Sequence, residues 1–161
     1  MECLWPLLLG LGPKELREIA EFSPKVSPGN TVVVGARSID IRENLNIEET
    51  GLRVITMKEL DMRGMKEVME EALERACDGT EGFHCSFDLD VVDPQVAPGV
   101  GTPVRGGTTY RESHLAMEIV ADSGKLLAFD CVEVNPVLDT ENATGSLAVE
   151  LISSALGKEI L

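Results

Sequence analysis

Ser86-Phe87-Asp88-Leu89-Asp90-Val91-Val92-Asp93-Pro94 sets two carboxylates, Asp88 and Asp90, at the end of an otherwise apolar run. Side chains of an extended segment alternate, so His84, Ser86, Asp88 and Asp90 share one face while Cys85, Phe87 and Leu89 share the other. Same-face neighbours lie roughly 6.6 Å apart along a strand, close enough for two carboxylates to converge on one cation or on a pair about 3.5 to 4 Å apart. Hard oxygen ligands favour magnesium, manganese or calcium over zinc. His84 stands about 13 Å from Asp88 along such a strand and is a supporting or structural residue. A bare Asp-x-Asp also suits a strand end that meets solvent or caps a turn. The continuation adds weight to the metal reading: Ala97-Pro98-Gly99-Val100-Gly101-Thr102-Pro103 and Gly106-Gly107-Thr108-Thr109 make a long Gly- and Pro-rich loop before the next helix, and loops of that kind are often functional.

Positioning two carboxylates requires a scaffold, and the chain reads as alternating strands and helices. Asn30-Thr31-Val32-Val33-Val34-Gly35 is a β-branched run of the buried parallel type. Asp40 and Glu43 follow it at a spacing that places both on one face of a helix start. There they complement the helix dipole with or without a ligand. A second strand spans Leu52 to Thr56, and an amphipathic helical region, jointed near Gly64, runs from Lys58 to Cys77. Within it Met62, Met65, Val68, Met69, Ala72 and Leu73 recur at helical spacing and mark core. The strand bearing the aspartates comes next. A helix from Tyr110 to Asp122 follows, capped by Thr109 and stopped by Gly124. Leu126 to Val132 forms the fourth strand and delivers Glu133 to the same carboxyl edge, and Leu147 to Leu156 closes the chain with a helix. This alternation predicts an α/β fold, a mainly parallel sheet covered on both faces, with ligands at the carboxyl ends of its strands.

Upstream, Leu4 to Leu11 is an apolar run broken by Pro6 and Gly10. It is too short to span a bilayer and lacks a basic flank, so it reads as buried chain. Pro13 is placed as a first helical residue, with Leu16, Ile19 and Ala20 as a short apolar stripe. The 161 residues suit one domain, and 43% hydrophobic content supports a core. A net charge of −14 disfavours nucleic acid and acidic membrane surfaces and suits a cationic substrate or a metal ion. Most of the acids, such as Glu67, Glu70, Glu71 and Glu74, read as a solvated helix face. Cys3, Cys77, Cys85 and Cys131 lack Cys-x-x-Cys spacing, and reduced thiols of a cytoplasmic protein are the simplest account.

Four segments in order, Ser-Phe-Asp-Leu-Asp-Val-Val-Asp-Pro, Ala-Pro-Gly-Val-Gly-Thr-Pro, Gly-Gly-Thr-Thr-Tyr-Arg-Glu and Val132-Glu133-Val134-Asn135-Pro136, resemble the C-terminal half of an arginase. The resemblance implies about half of the family's three-layer α/β/α fold. It also implies a manganese pair, for which Asp88 and Asp90 match the last two aspartate ligands. Gly35-x-Arg37-x-x-Asp40-x-x-Glu43 matches the segment that contacts the substrate's α-amino end. By the same resemblance Glu133 holds the guanidinium of L-arginine and Thr102 lines the site, and the Asp40 and Glu43 arrangement, which agmatinase and formiminoglutamase are expected to lack, ranks arginase above them. Arg111-Glu112 is similar to a segment near the contacts of trimeric or hexameric members, which implies a homo-oligomer.

The early histidine ligand and the Asp-x-His-x-Asp motif of the family have no counterpart in the 161 residues, and Met1 stands about where the catalytic histidine is expected. The expectation is a truncated reading of a longer gene or a natural remnant that pairs with a missing N-terminal half. In the family, hydroxide bridging two manganese ions attacks the guanidinium carbon to give urea and ornithine. A chain with two carboxylates of that shell is expected to be inactive alone. The alternative is a non-catalytic homologue or assembly module that binds a partner chain or a guanidino ligand.

Overall fold

The computed structural model describes residues 5–158; Met1, Cys3 and Leu4 lie outside them. Its framework is β1 (Val32–Ala36), α3 (Ile41–Thr50), β2 (Arg53–Thr56), α4 (Met57–Arg63), α5 (Met65–Ala76), β3 (Phe83–Asp88), α6 (Tyr110–Asp122), β4 (Leu126–Val132) and α7 (Ala143–Ala155), preceded by two single-turn helices, α1 (Trp5–Leu8) and α2 (Lys14–Arg17). This is the expected α/β alternation. All paired strands are parallel, but they come as two pairs, β1 with β2 and β3 with β4. Strand pairing is a long-range choice that local pattern does not encode.

Both pairs feed one core. Ile55, Leu60, Val68, Leu89, Val92, Val100, Val120 and Leu151 are almost completely buried, each contributing about 1.5–3 kcal/mol by leaving water. Phe83 and Phe87 of β3 point into this core together with residues of α4, α5, α6 and α7, so those helices form the layer on one side of the strands. No residue of α3 is buried, and α3 adds no side chain to this core. On the face of β3 and β4 turned away from this core His84, Ser86, Ala128 and Val132 are exposed.

Capping explains the helix boundaries. Thr109 accepts from Glu112 N while Glu112 reaches back to Thr109 N, a closed capping box that opens α6 at Tyr110 as expected. Thr56 caps α4 by accepting from Glu59 N. Gly64, at φ +84°, separates α4 from α5. That joint resets the helical phase: Met65, Val68, Met69 and Ala72 are buried, whereas Met62 is 78% exposed and is not core. The acids of α5 are also less uniform than a solvated face. Arg53 of β2 bonds Glu59 and Glu71, and Arg63 bonds Glu59, Glu67 and Glu71, so the α4–α5 corner is clamped to β2.

The N-terminal segment departs furthest from expectation. Leu9 is buried but Leu8 is exposed, so the apolar run is only partly interior. Pro13 is the N-cap of a four-residue helix, not its first residue. Leu16 and Ile19 are 49% and 61% exposed, because so short a helix leaves no continuous stripe to bury. At the other end α7 begins at Ala143, a turn earlier than Leu147, after Asp139 has bonded the amides of Thr144 and Gly145.

Candidate functional site

The strand bearing the aspartates stops at Asp88. Leu89–Val91 is a 3-10 turn, so Asp90 does not share a strand face with Asp88. The cause is local: Asp88 Oδ1 accepts from Asp90 N at 2.8 Å, and this side-chain bond substitutes for the next rung of the ladder. The turn still delivers both carboxylates to the carboxyl edge, with Leu89 fully buried between them as an anchor.

Around the pair the chain arranges complementary groups. Asp90 Oδ2 accepts from the Thr102 hydroxyl at 2.5 Å. Among the described residues Asp90 Oδ1 is buried and has no hydrogen-bond partner. Burial pushes the Asp88 carboxyl up to about 6, and the negative charges of Asp90 and Glu133 act in the same direction. Glu133 follows β4 directly and has φ +68°. A left-handed glutamate is strained by about 1–3 kcal/mol, a cost commonly found where a side chain must be aimed. Gly101 lies against it, with room for a Cβ only 3.4 Å from Glu133 Oε2.

Two glycine contacts hold the long loop in place. At Gly107 a Cβ would stand 2.4 Å from the Val91 carbonyl oxygen. Asp93 pins the same stretch by accepting from Gln95, Gly106 and Gly107 N, bonds that hold its carboxyl below the usual carboxylate range. Gly99 donates to Thr144 Oγ1 and accepts from Asn135 N, tying the loop to the segment after Glu133.

Asp40 and Glu43 stand at the carboxyl end of β1, on the same edge, as a capping box. Asp40 Oδ1 accepts from Glu43 N at 2.8 Å and Glu43 Oε2 accepts from Asp40 N at 3.1 Å. The structure therefore brings Asp88, Asp90, Thr102 and Glu133 into one cluster, and holds Asp40 and Glu43 to each other as the cap of α3. The sequence motif includes Arg37 without a role of its own; in the structure Arg37 donates to the carbonyls of Asp90, Val91 and Val104. Its signal was Gly35: a Cβ there would meet Val91 Cγ2 at 2.4 Å, so β1 must run hard against the turn after Asp88. Asp130 was missed. It bonds both His84, at 2.6 Å, and Ser86, from the facing position on β4, which gives His84 the structural role expected of it.

The donor set can be weighed against a hard cation. A buried carboxylate oxygen without a partner, beside a second carboxylate, is a arrangement that a cation completes. Among the described residues no three His, Cys, Asp or Glu side chains converge in the manner of a complete metal shell.

The arginase family model matches residues 15–157. The chain belongs to the arginase family. It is 52% identical over 155 residues to the arginase of Bacillus subtilis, covering 95% of this chain and 51% of that relative. It is 48% identical over 153 residues to the arginase of Bacillus caldovelox, with the same coverage. The crystal structure of the B. subtilis arginase superimposes with a TM-score of 0.94 at 49% identity, over 98% of this chain and 55% of that one. This arginase-family chain thus spans about half the length of the relatives it matches, and its fold is about half of theirs.

Proposed function

We propose that this chain carries the substrate-facing part of a manganese-dependent arginase site. Asp88 and Asp90 are its metal ligands, Glu133 holds the guanidinium of L-arginine, Thr102 lines the pocket, and Asp40 and Glu43 recognise the amino-acid end. The observation that carries the reading is the buried, unpartnered Asp90 Oδ1 beside Asp88. Manganese, when bound, supplies an activated water for hydrolysis of the guanidino group. Thr102 fixes one oxygen of Asp90 so that the other remains available, and the strained Glu133 backbone aims a carboxylate toward the same space. The three described cysteines, Cys77, Cys85 and Cys131, are free thiols, which suits the cytoplasm.

Two carboxylates do not complete a catalytic metal shell, so turnover requires further ligands from an N-terminal half, in the same or another chain. The test supplies the 161-residue chain with manganese and L-arginine at alkaline pH. Alone it is expected to release urea no faster than a variant with Asp88 and Asp90 both replaced by alanine. Mixed with an N-terminal arginase half it is expected to release urea in a Glu133-dependent manner. Urea release by the isolated chain that disappears in Asp90→Ala would overturn the requirement for a second half.

The second reading, an assembly module without turnover, draws on the exposed side of β3 and β4 and on the two separate strand pairs. Failure of the mixture to release urea, with stable association of the two halves, would select it.

A further inference from the structure

Arg37 follows β1 directly, and its half-buried guanidinium is directed at main-chain carbonyls. Nη2 donates to Asp90 O at 2.6 Å and to Val104 O at 2.7 Å, Nη1 donates to Val91 O at 3.2 Å, and Nε donates to Val104 O at 3.1 Å. These carbonyls belong to two segments, each bearing a site residue. Asp90 lies on the turn after β3, and Thr102 lies two residues before Val104 on the long loop. The Thr102 hydroxyl in turn donates to Asp90 Oδ2. Traced through, the bonds close a ring: Asp90 carboxylate, Thr102, the chain to Val104, the Arg37 guanidinium and back to the Asp90 carbonyl.

The ring separates two roles for a cation near acids. Burial lowers the Arg37 pKa on balance, against the opposing charges of Asp93, Asp90 and Asp88, yet among the described residues Arg37 forms no ion pair with any of them. A residue present to neutralise carboxylates would take them directly, as Arg53 takes Glu59 and Glu71. Arg37 instead leaves the carboxylates free and fixes the backbone on either side of them. Only a planar fork holds two segments this way; an ammonium on a flexible stem does not.

We propose that Arg37 is a positioning residue for the Asp88–Asp90 cation site: by closing the ring it holds Asp90 Oδ2 on Thr102 and keeps Oδ1 presented to the ion. The proposal rests on the metal reading made above for function. It makes a prediction opposite in sign to simple electrostatics. Removing a positive charge beside two carboxylates should by Coulomb's law strengthen cation binding. Loss of a group that orients a ligand weakens it, commonly by 10- to 100-fold.

The experiment titrates manganese into the 161-residue chain and into Arg37→Met, Arg37→Lys, Thr102→Val and the Arg37→Met/Thr102→Val double variant, reading free manganese by its electron paramagnetic resonance. Amide hydrogen exchange at Gly106, Gly107 and Thr108 is measured without metal, and circular dichroism checks each fold. The expected result is about tenfold weaker binding for both Arg37 variants, with the double variant no weaker than the weaker single one, and faster exchange in the loop. Binding by Arg37→Met as tight as that of the unaltered chain, or tighter, overturns the proposal. So do losses that simply add in the double variant. Arg37→Lys, which retains the charge, supplies the same comparisons where Arg37→Met does not fold. Where the unaltered chain itself fails to bind manganese, the metal reading falls and loop exchange decides the ring: unchanged exchange in Arg37→Met overturns it, and faster exchange supports it.

Discussion

Thr102 donates its hydroxyl to one carboxylate oxygen of Asp90 and leaves the other buried without a partner. A buried carboxylate oxygen in that state costs free energy that a cation can recover. Manganese should therefore bind the isolated chain weakly, retaining several waters, and Asp88→Ala or Asp90→Ala should remove the binding. Calorimetry decides it. A tight site for two ions in this chain alone would mean that ligands other than these two aspartates converge.

Acid–base behaviour should be unusual for so acidic a protein. Asp88 titrates at about 6, raised first by burial and then by Asp90 and Glu133. Its raised value favours the protonated fold, so its contribution is complete below the ordinary carboxylate value of about 4 and is lost as pH rises through 6. Glu71 has the opposite sign: hydrogen bonds from Arg53 and then Arg63 hold it at about 2, and its contribution disappears as pH falls toward that value. The urea midpoint should accordingly be higher near pH 4.5 than at pH 7.5, helped by the self-repulsion of a −14 chain. Asp88→Asn should shrink that difference, and so should saturating manganese. A midpoint difference unchanged by Asp88→Asn would assign the pH dependence to other groups.

Glu133 should trade stability against recognition. Its left-handed backbone favours glycine, so Glu133→Gly should leave the fold unchanged or stabilise it by up to about 1 kcal/mol. The same substitution should abolish urea release by the reconstituted halves. A marked loss of melting temperature would show that the side chain stabilises the fold.

Strand edges left without partners promote association. Each of the two parallel pairs has an edge unpaired among the described residues, and the β3–β4 side bearing His84, Ala128 and Val132 is exposed. The purified chain should self-associate in sedimentation velocity at micromolar concentration. A sharp monomer boundary across that range would refute this.

Legibility in the sequence followed how local the cause was. The boundaries of α6 and β4 could be read in advance because Thr109, Glu112 and Gly124 act over a few residues. So could the delivery of Glu133 to the aspartates' edge, which follows from strand direction. Asp90's departure from β3 was hidden: alternation assumes that the ladder continues, and Asp88 ends it with its own side chain. Met62 was misjudged because a phase carried across Gly64 ignores the reset there. The contacts of Arg37 and Asp130 were not legible because their partners lie more than forty residues away in the chain, a separation that pattern cannot bridge.

Gly35 sets a length in this molecule. With φ at +87° and Val91 Cγ2 2.4 Å from where a Cβ would stand, position 35 leaves room for no side chain between β1 and the turn that carries Asp90. Any side chain at position 35 would act as a spacer. It would part the Asp40–Glu43 cap from Asp88 and Asp90, and under the arginase reading proposed above it would change which length of substrate could reach both.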